Sequence, residues 1–448
     1  MAVVSSDLIV SVSGIRGIVG TSLTPEVAAA FAVALGTFAK GGRIVLSRDS
    51  RPSGDMLRHA VISGLLSTGC RVDDIGIAPT PTCGLAISHT GAAGGIQITA
   101  SHNPAPWNGL KLFGSDGAVL SAQRGQEVAN LFASGNFTRA TWDRIGTLSV
   151  PPNVGEAHIS RVCDAVSVST IASAGFRAML DGNGGAGGPL GIALLQALGC
   201  EIVEHACADD GVFIHEPEPI PAHLADVALL VPRTESHIGF VLDPDSDRLA
   251  LIDETGTCVS EEITLALAVQ ARLSQQRGPV VINMSTSRVI EDIAARYHCE
   301  CMRTAVGEAN VVAGMRNVKA IIGGEGNGGV IDPRIGWVRD PFIAMPMILQ
   351  LIAESGRSLS QLVADLPQYA MLKTKYTVER ATLSAKLSAL ESRFADAKVN
   401  RMDGLRLDWF DRWLHIRSSN TEPIVRVIAE APTLAEAQAL CDAAGAML

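Results

Sequence analysis

Asp243-Pro244-Asp245-Ser246-Asp247-Arg248 places three carboxylates at i, i+2 and i+4 in one short loop. Like charges that close together repel unless a cation sits among them, and an all-oxygen donor set suits Mg²⁺ or Ca²⁺ better than zinc. A solvated acidic turn is the plainer alternative. An EF-hand also competes, and Glu254 stands at the twelfth position of such a loop. It fails at the sixth position, where Arg248 replaces the required glycine, and on flanks that read as strands. A second group, Thr99-Ala100-Ser101-His102-Asn103-Pro104, closes a strand-like run, with Lys111 ten residues after Ser101 beyond a turn at Asn108-Gly109. Ligands of open α/β sheets collect beyond the carboxyl ends of strands, so Ser101 is offered where chemistry occurs. The segment is not a G-x-S-x-G elbow, and a Ser-His neighbour pair is not a triad. Here the alternative is an Asn-Pro turn that satisfies its own backbone.

Two further loops offer binding chemistry. Gly323 to Gly329 carries Glu325 and Asn327 among glycines, so a small ligand can approach its backbone closely. Glu325 there suits bidentate contact with vicinal sugar hydroxyls, or the stretch is a flexible turn. Arg417-Ser418-Ser419-Asn420-Thr421-Glu422-Pro423, followed by Arg426, offers guanidinium groups, hydroxyls and loop N–H groups to a phosphate, against an ordinary polar hairpin. Ser13-Gly14-Ile15-Arg16-Gly17 adds an arginine in a glycine-flanked loop. A rival signal is Gly182-Asn183-Gly184-Gly185-Ala186-Gly187, which matches G-x-G-x-x-G between a strand and a helix, with Glu204 about 20 residues on. It supports an NAD(P)-dependent oxidoreductase, but leaves the Ser101, Asp243 and Arg417 loops unexplained. Gly324, Gly326 and Gly329 repeat the pattern, yet Pro333 and a strand-like continuation deny it a helix.

The elements that must hold these loops alternate between short β-like and helix-like runs, the pattern of α/β architecture. Strands are expected at Arg43–Leu46, Gly95–Thr99, Phe176–Leu180, Glu201–Val203 and Gly278–Ile282, with helices at Ser53–Thr68, Pro189–Leu198 and Ser287–Tyr297. The last stretch differs: a helix over Ala381–Phe394, strands near Leu405–Leu407, Trp413–Ile416 and Val425–Ile428, then a final helix. The expected fold is therefore α/β, with three similar α/β domains over 1–148, 149–253 and 254–366 and a C-terminal α+β domain over 367–448.

Composition narrows the function. Of 448 residues 47% are hydrophobic and 18% charged, which excludes disorder, and a formal charge of −10 argues against nucleic acid or an anionic membrane as partner. Nine cysteines without a C-x-x-C pair read as buried free thiols, with Cys299 and Cys301 on one strand. No signal-peptide pattern and no apolar run of about 18 residues occurs, so a cytoplasmic protein is expected.

A serine loop, a D-x-D-x-D loop, a glycine-Glu loop and an R-x-S-N-T loop, in that order over nearly the whole chain, resemble the α-D-phosphohexomutases. The resemblance implies three related α/β domains and a C-terminal domain around a central cleft. It implies that Ser101 is a phosphoserine in the active enzyme, and that Asp243, Asp245 and Asp247 hold Mg²⁺ against the Ser101 phosphate. His102, Lys111 and Arg16 match active-site positions, and Arg248 follows the metal loop as the family's arginine does. Glu325, with Asn327 beside it, matches the sugar-binding carboxylate. Arg417, Ser419, Asn420 and Thr421 match the phosphate-binding loop, with Arg426 converging on it. Arg303 and Glu308 lie in a segment resembling the one that reads the sugar at C2. The D-G-N-G loop at Asp181 recurs in the family as a structural element, which disposes of the dinucleotide signal. The implied reaction moves a phosphoryl group between sugar oxygens through a hexose or hexosamine 1,6-bisphosphate. The implied partner is a small sugar phosphate, taken by a monomer or homodimer. The loops look most like the phosphoglucosamine mutase branch, although Asn327-Gly328-Gly329 replaces the Ser-Gly-His ending usual in bacteria. Phosphomannomutase or phosphoglucomutase activity is the alternative.

Overall fold

Arg43–Arg48 and Gly94–Ile98 pair in parallel from Ile44↔Gly94 to Arg48↔Ile98, and their aliphatic side chains are buried. Continuous apolar runs of this kind are what parallel strands covered on both faces require. The computed structural model describes residues 8–11, 13–418 and 424–448. They form four sheets.

The first sheet runs in the order Ile9–Ser11, Gly14–Ile18, Trp107–Gly114, Gly94–Ile98, Arg43–Arg48, Arg71–Ile77, Leu148–Ser149. The second runs Cys258–Val259, Leu249–Asp253, Ile238–Leu242, Arg177–Asp181, Glu201–His205. Its first-named strand lies beyond Asp253 in sequence. The third runs Cys301–Thr304, Val280–Asn283, Ile322–Glu325, Gly329–Ile331. The fourth, Ala370–Thr377, Ile424–Ala431, Trp413–Ser418, Leu405–Asp408, Lys398–Asn400, is antiparallel throughout. The α/β class and the distinct C-terminal unit are thus present.

One recurring device positions the site. In each of the first three sheets a parallel core strand is followed by an antiparallel return strand: Gly94–Ile98 by Trp107–Gly114, Ile238–Leu242 by Leu249–Asp253, and Ile322–Glu325 by Gly329–Ile331. The serine loop, the acidic loop and the glycine turn are the three connections. In the fourth sheet, Arg417 and Arg426 face each other in register on Trp413–Ser418 and Ile424–Ala431.

Several local expectations change. Arg16 lies within the strand Gly14–Ile18 rather than a loop, and Asn108 and Gly109 belong to the strand that carries Lys111. The glycines serve close strand approach: a Cβ at Gly14 or Gly109 would collide with a carbonyl oxygen of the neighbouring strand. Gly323 to Glu325 are likewise strand, which leaves a tight turn at Gly326–Gly328, where Gly328 takes φ +83°. Cys301 starts a strand that Cys299 precedes, and all nine cysteines are free thiols.

One buried apolar cluster runs from Leu180 and Phe240 of the second unit into Val280, Ile322 and Ile348 of the third. The helix Pro341–Ser355 is buried for most of its length and is capped by Asp340, whose carboxylate accepts from Phe342 N at 2.8 Å. His158 ties three units together, its ring nitrogens lying 2.9 Å from Thr82 Oγ1 and 2.9 Å from Asp340 Oδ2. No helix among the described residues is long and apolar enough to cross a membrane.

Candidate active site

Ser101 leaves its strand in the left-handed region, at φ +51°, and is 2% exposed. A non-glycine residue holds that conformation only when its surroundings dictate it. Here they do so from two sides. Ser101 N donates to Thr99 Oγ1 (2.8 Å), which donates to Asp49 Oδ2 (2.7 Å). On the other side the buried Arg51 guanidinium, paired through Nε with Asp49 Oδ2 at 3.1 Å, donates to Ser101 O (2.7 Å), Pro104 O (2.8 Å), Trp107 O (3.0 Å) and Asn103 O. One planar fork therefore shapes the whole serine loop, and Phe213 covers it at 5.0 Å. Removing one partner of a buried ion pair costs about 3–5 kcal/mol. Arg51→Met is expected to lose that much in chemical denaturation and most activity with it. Arg51→Lys should not restore either, because an ammonium cannot fan out to four carbonyls. Wild-type stability in Arg51→Met would refute this role.

The acidic loop reaches the same place. Asp243 Oδ1 accepts from the backbone N–H groups of Asp247 and Arg248, both at 3.0 Å, while Oδ2 accepts from Ser101 Oγ at 3.3 Å. Asp245 Oδ2 accepts from Thr80 Oγ1 (2.7 Å) and Lys111 Nζ (2.9 Å). Asp247 Oδ2 accepts from Lys111 Nζ (2.8 Å) and from Arg339 Nη2. The other oxygen of each of these two, Asp245 Oδ1 and Asp247 Oδ1, is buried without a hydrogen-bond partner. Oxygens of all three carboxylates lie within 4.8 Å of one another. Burial, then the charges of Asp245 and Asp247, push Asp243 well above the usual carboxylate range. Clustered, all-oxygen and with two of its oxygens orphaned, this donor set fits a divalent cation such as Mg²⁺. Burial opposes the charge on Lys111, but Asp245 and Asp247 outweigh it and hold the ammonium above its ordinary value.

His102 Nδ1 lies 3.2 Å from Ser101 Oγ. Burial, reinforced by Arg248 and Arg16, keeps this imidazole neutral, well below its usual value. Arg16 Nη1 donates to Asn103 Oδ1 at 3.1 Å, and Arg248 Nη1 reaches Glu218 Oε1 at 3.5 Å. Arg16, His102, Arg248, Asn327, Arg417 and Arg426 all line one cleft of about 880 Å³. Glu325 does too, with Oε1 accepting from Asn283 Nδ2 (2.9 Å) and Gly307 N (3.1 Å) and Oε2 from Arg339 Nη1 (2.9 Å). Glu308 lines an adjoining cavity of about 330 Å³ with Lys111 and Arg339. Across the cleft, Asp403 Oδ2 accepts from both Val306 N (2.9 Å) and Arg417 Nε (3.1 Å), docking the fourth sheet on the third.

Arg303 is not brought into the cleft. Its donors are engaged with Glu291 (3.0 and 2.8 Å), Asn283 O (2.9 Å) and Thr286 O (2.7 Å), so it braces the turn under Glu325 instead of facing a sugar. Ser419, Asn420 and Thr421 lie outside the described residues. The dinucleotide-like glycines serve the acidic loop: a Cβ at Gly187 would strike Ser246, and Ala186 N donates to Pro244 O at 2.9 Å. Sequence reading missed Arg51, Thr80, Asp403 and Arg339.

Converging guanidinium groups that line one cleft, with a buried serine and a carboxylate cluster fit for a divalent cation directly behind its lining residues His102 and Arg339, define a class, the multidomain α/β enzymes that handle small phosphorylated ligands. Residues 7–139, 156–256 and 260–369 match the models of the phosphoglucomutase/phosphomannomutase alpha/beta/alpha domains I, II and III, and 375–445 match its C-terminal domain. The chain belongs to the phosphoglucomutase/phosphomannomutase family, the α-D-phosphohexomutases. It is 38% identical over 427 residues to a Thermococcus kodakarensis protein named "Phosphoglucomutase/phosphomannomutase", covering 93% of each chain. It is 34% identical over 435 residues to a Methanopyrus kandleri "Probable phosphoglucosamine mutase", covering 96% of this chain and 95% of the other. The crystal structure of a Burkholderia thailandensis phosphoglucomutase/phosphomannomutase family protein superposes with a TM-score of 0.86 at 28% identity, over 97% of this chain and 95% of that one.

Proposed function

We propose that the chain is a phosphohexomutase that interconverts glucosamine 6-phosphate and glucosamine 1-phosphate through a phosphorylated Ser101 and a sugar 1,6-bisphosphate. The observation that carries this reading is Ser101 Oγ, 3.3 Å from Asp243 Oδ2 and 3.2 Å from Nδ1 of His102, which lines the same cleft as Arg417 and Arg426. Bound by Asp243, Asp245 and Asp247, a Mg²⁺ ion supplies charge neutralisation to the phosphoryl group in transfer. In the first half-reaction the phosphorus–Oγ bond of phosphoserine breaks as a bond to a sugar hydroxyl forms. The hydroxyl proton passes to the neutral His102 imidazole and from there to Ser101 Oγ. Lys111 and Arg16 face the reacting oxygens, while Arg417 and Arg426 hold the distal phosphate. The bisphosphate then turns over and returns its other phosphoryl group to Ser101, so the protein ends as it began.

A cleft of about 880 Å³ stands near the top of the roughly 300–1,000 Å³ range of small-molecule sites, which leaves room for that turn. Glu325 would take the sugar hydroxyls. Nine free thiols suit the reducing cytoplasm. Glucose or mannose phosphates are the second reading, favoured by the name of the relative at 38% identity. Turnover of glucosamine, glucose and mannose phosphates, compared with Mg²⁺ and the matching bisphosphate supplied, tests the choice. The glucosamine rate is expected to exceed the others, and a rate far below them would transfer the assignment to the second reading.

A further inference from the structure

Arg339 is 7% exposed and is surrounded by acid. One terminal nitrogen donates to Glu325 Oε2 (2.9 Å) and the other to Asp247 Oδ2, while Nε lies 3.4 Å from Glu308 Oε2 without a hydrogen-bond partner. Its backbone is pinned as well: Arg339 N donates to Glu308 Oε1 at 3.0 Å, and the next residue is the helix cap Asp340. The side chain has its place because residue 329 is glycine, where a Cβ would collide with Arg339 Cδ. Gly329 thus leaves the sugar turn open for a cation that comes from another element. Arg339 borders both the main cleft and the adjoining cavity that holds Lys111 and Glu308.

We propose that Arg339 is a positioning residue that joins the two halves of the site. Its fork aims Glu325 at the sugar while it screens Asp247, so that sugar affinity and divalent-cation affinity are set against each other. This rests on the sugar-phosphate reading above. The two effects differ in physical kind. Aiming Glu325 needs the planar, two-pronged geometry, which only a guanidinium supplies. Screening Asp247 needs only a positive charge close by, which works against a second cation at the same carboxylate.

Opposite signs follow for the two ligands, measured by calorimetry with MgCl₂ alone and with glucosamine 6-phosphate alone in metal-free buffer. Arg339→Met is expected to weaken glucosamine 6-phosphate about tenfold or more, the loss of a charge-assisted pair of hydrogen bonds, and to tighten Mg²⁺ several-fold. Arg339→Lys keeps the charge and should bind Mg²⁺ as wild type does, but lose sugar-phosphate affinity as the methionine variant does. Gly329→Ala, which displaces the guanidinium without removing it, should weaken the sugar phosphate in a chain whose buried charges are all retained. A purely structural role predicts that Arg339→Met weakens both ligands, and that result overturns the proposal. So does wild-type sugar affinity in Arg339→Lys. Should Arg339→Met fail to fold, the lysine and alanine variants decide alone. A wild-type protein that binds Mg²⁺ but no sugar phosphate would overturn the functional reading along with this one, an outcome distinct from either variant result.

Discussion

Ser101→Ala is expected to lower turnover on the order of 10⁴-fold or more, about 5.5 kcal/mol or more of transition-state stabilisation. Ser101 Oγ lies 3.3 Å from Asp243 Oδ2 and 3.2 Å from His102 Nδ1, and alanine offers no atom to carry the phosphoryl group. The fold should hardly notice. The loop backbone is fixed through Ser101 N and Ser101 O, by Thr99 and Arg51, and neither contact uses the side chain. The left-handed conformation at φ +51° burdens serine and alanine alike. Denaturation should therefore move by about 1 kcal/mol at most, while a labelled phosphoryl group, incorporated into wild type from the bisphosphate, is absent from the variant. Near-normal turnover would rule out a phosphoserine route.

Asp245→Asn comes second in size. Asp245 divides its two oxygens, Oδ2 to Thr80 and Lys111 and Oδ1 to no protein group. Asparagine keeps one carbonyl oxygen but no charge, which suits a hard divalent cation far less well. Mg²⁺ binding by calorimetry should weaken at least about tenfold, and turnover at saturating sugar should fall on the order of 10²–10³-fold. A ligand that binds only the folded state raises its stability by RT ln(1 + [L]/Kd). Millimolar Mg²⁺ is accordingly expected to raise the wild-type melting temperature, EDTA to reverse it, and the variant to respond to neither. A variant that keeps the Mg²⁺-dependent rise would show that the ion sits elsewhere.

What was legible in the sequence is what lies contiguously in it. Ser101-His102 and Asp243 to Asp247 each occupy one loop, and their residue types alone narrow the chemistry. The groups that hold them come from afar. Arg51 reaches Ser101 across 50 positions, Thr80 reaches Asp245 across 165, and Arg339 reaches Asp247 across 92. One clue to Arg51 was available, since Asp49 and Arg51 directly follow the buried strand Arg43–Arg48, at the carboxyl end where α/β sites form. Arg339 carried a fainter one, a charged pair with Asp340 immediately before the apolar helix Pro341–Ser355. The pairing of Arg303 with Glu291 was not legible either, because sequence does not say which way a side chain on a strand points, and Glu291 lies on the preceding helix. Strands were recognised more surely than the role of their glycines: at Gly14, Gly109 and Gly324 the missing side chain allows two backbones to touch, which reads in one dimension as a loop.

The serine loop, the acidic loop and the glycine turn fill one and the same architectural slot, the link from a parallel strand to its antiparallel return, in three successive sheets. The site is thus one corner design used three times, one copy carrying Ser101, one the carboxylates Asp243, Asp245 and Asp247, and one Glu325. Such a layout lets the three roles diverge independently. Since the strands on either side keep their register whatever the link contains, a new sugar preference can be tried at Gly326–Gly328 while Ser101 and Asp243 to Asp247 stay untouched on sheets of their own. Selection, or an engineer, works on this enzyme one cassette at a time.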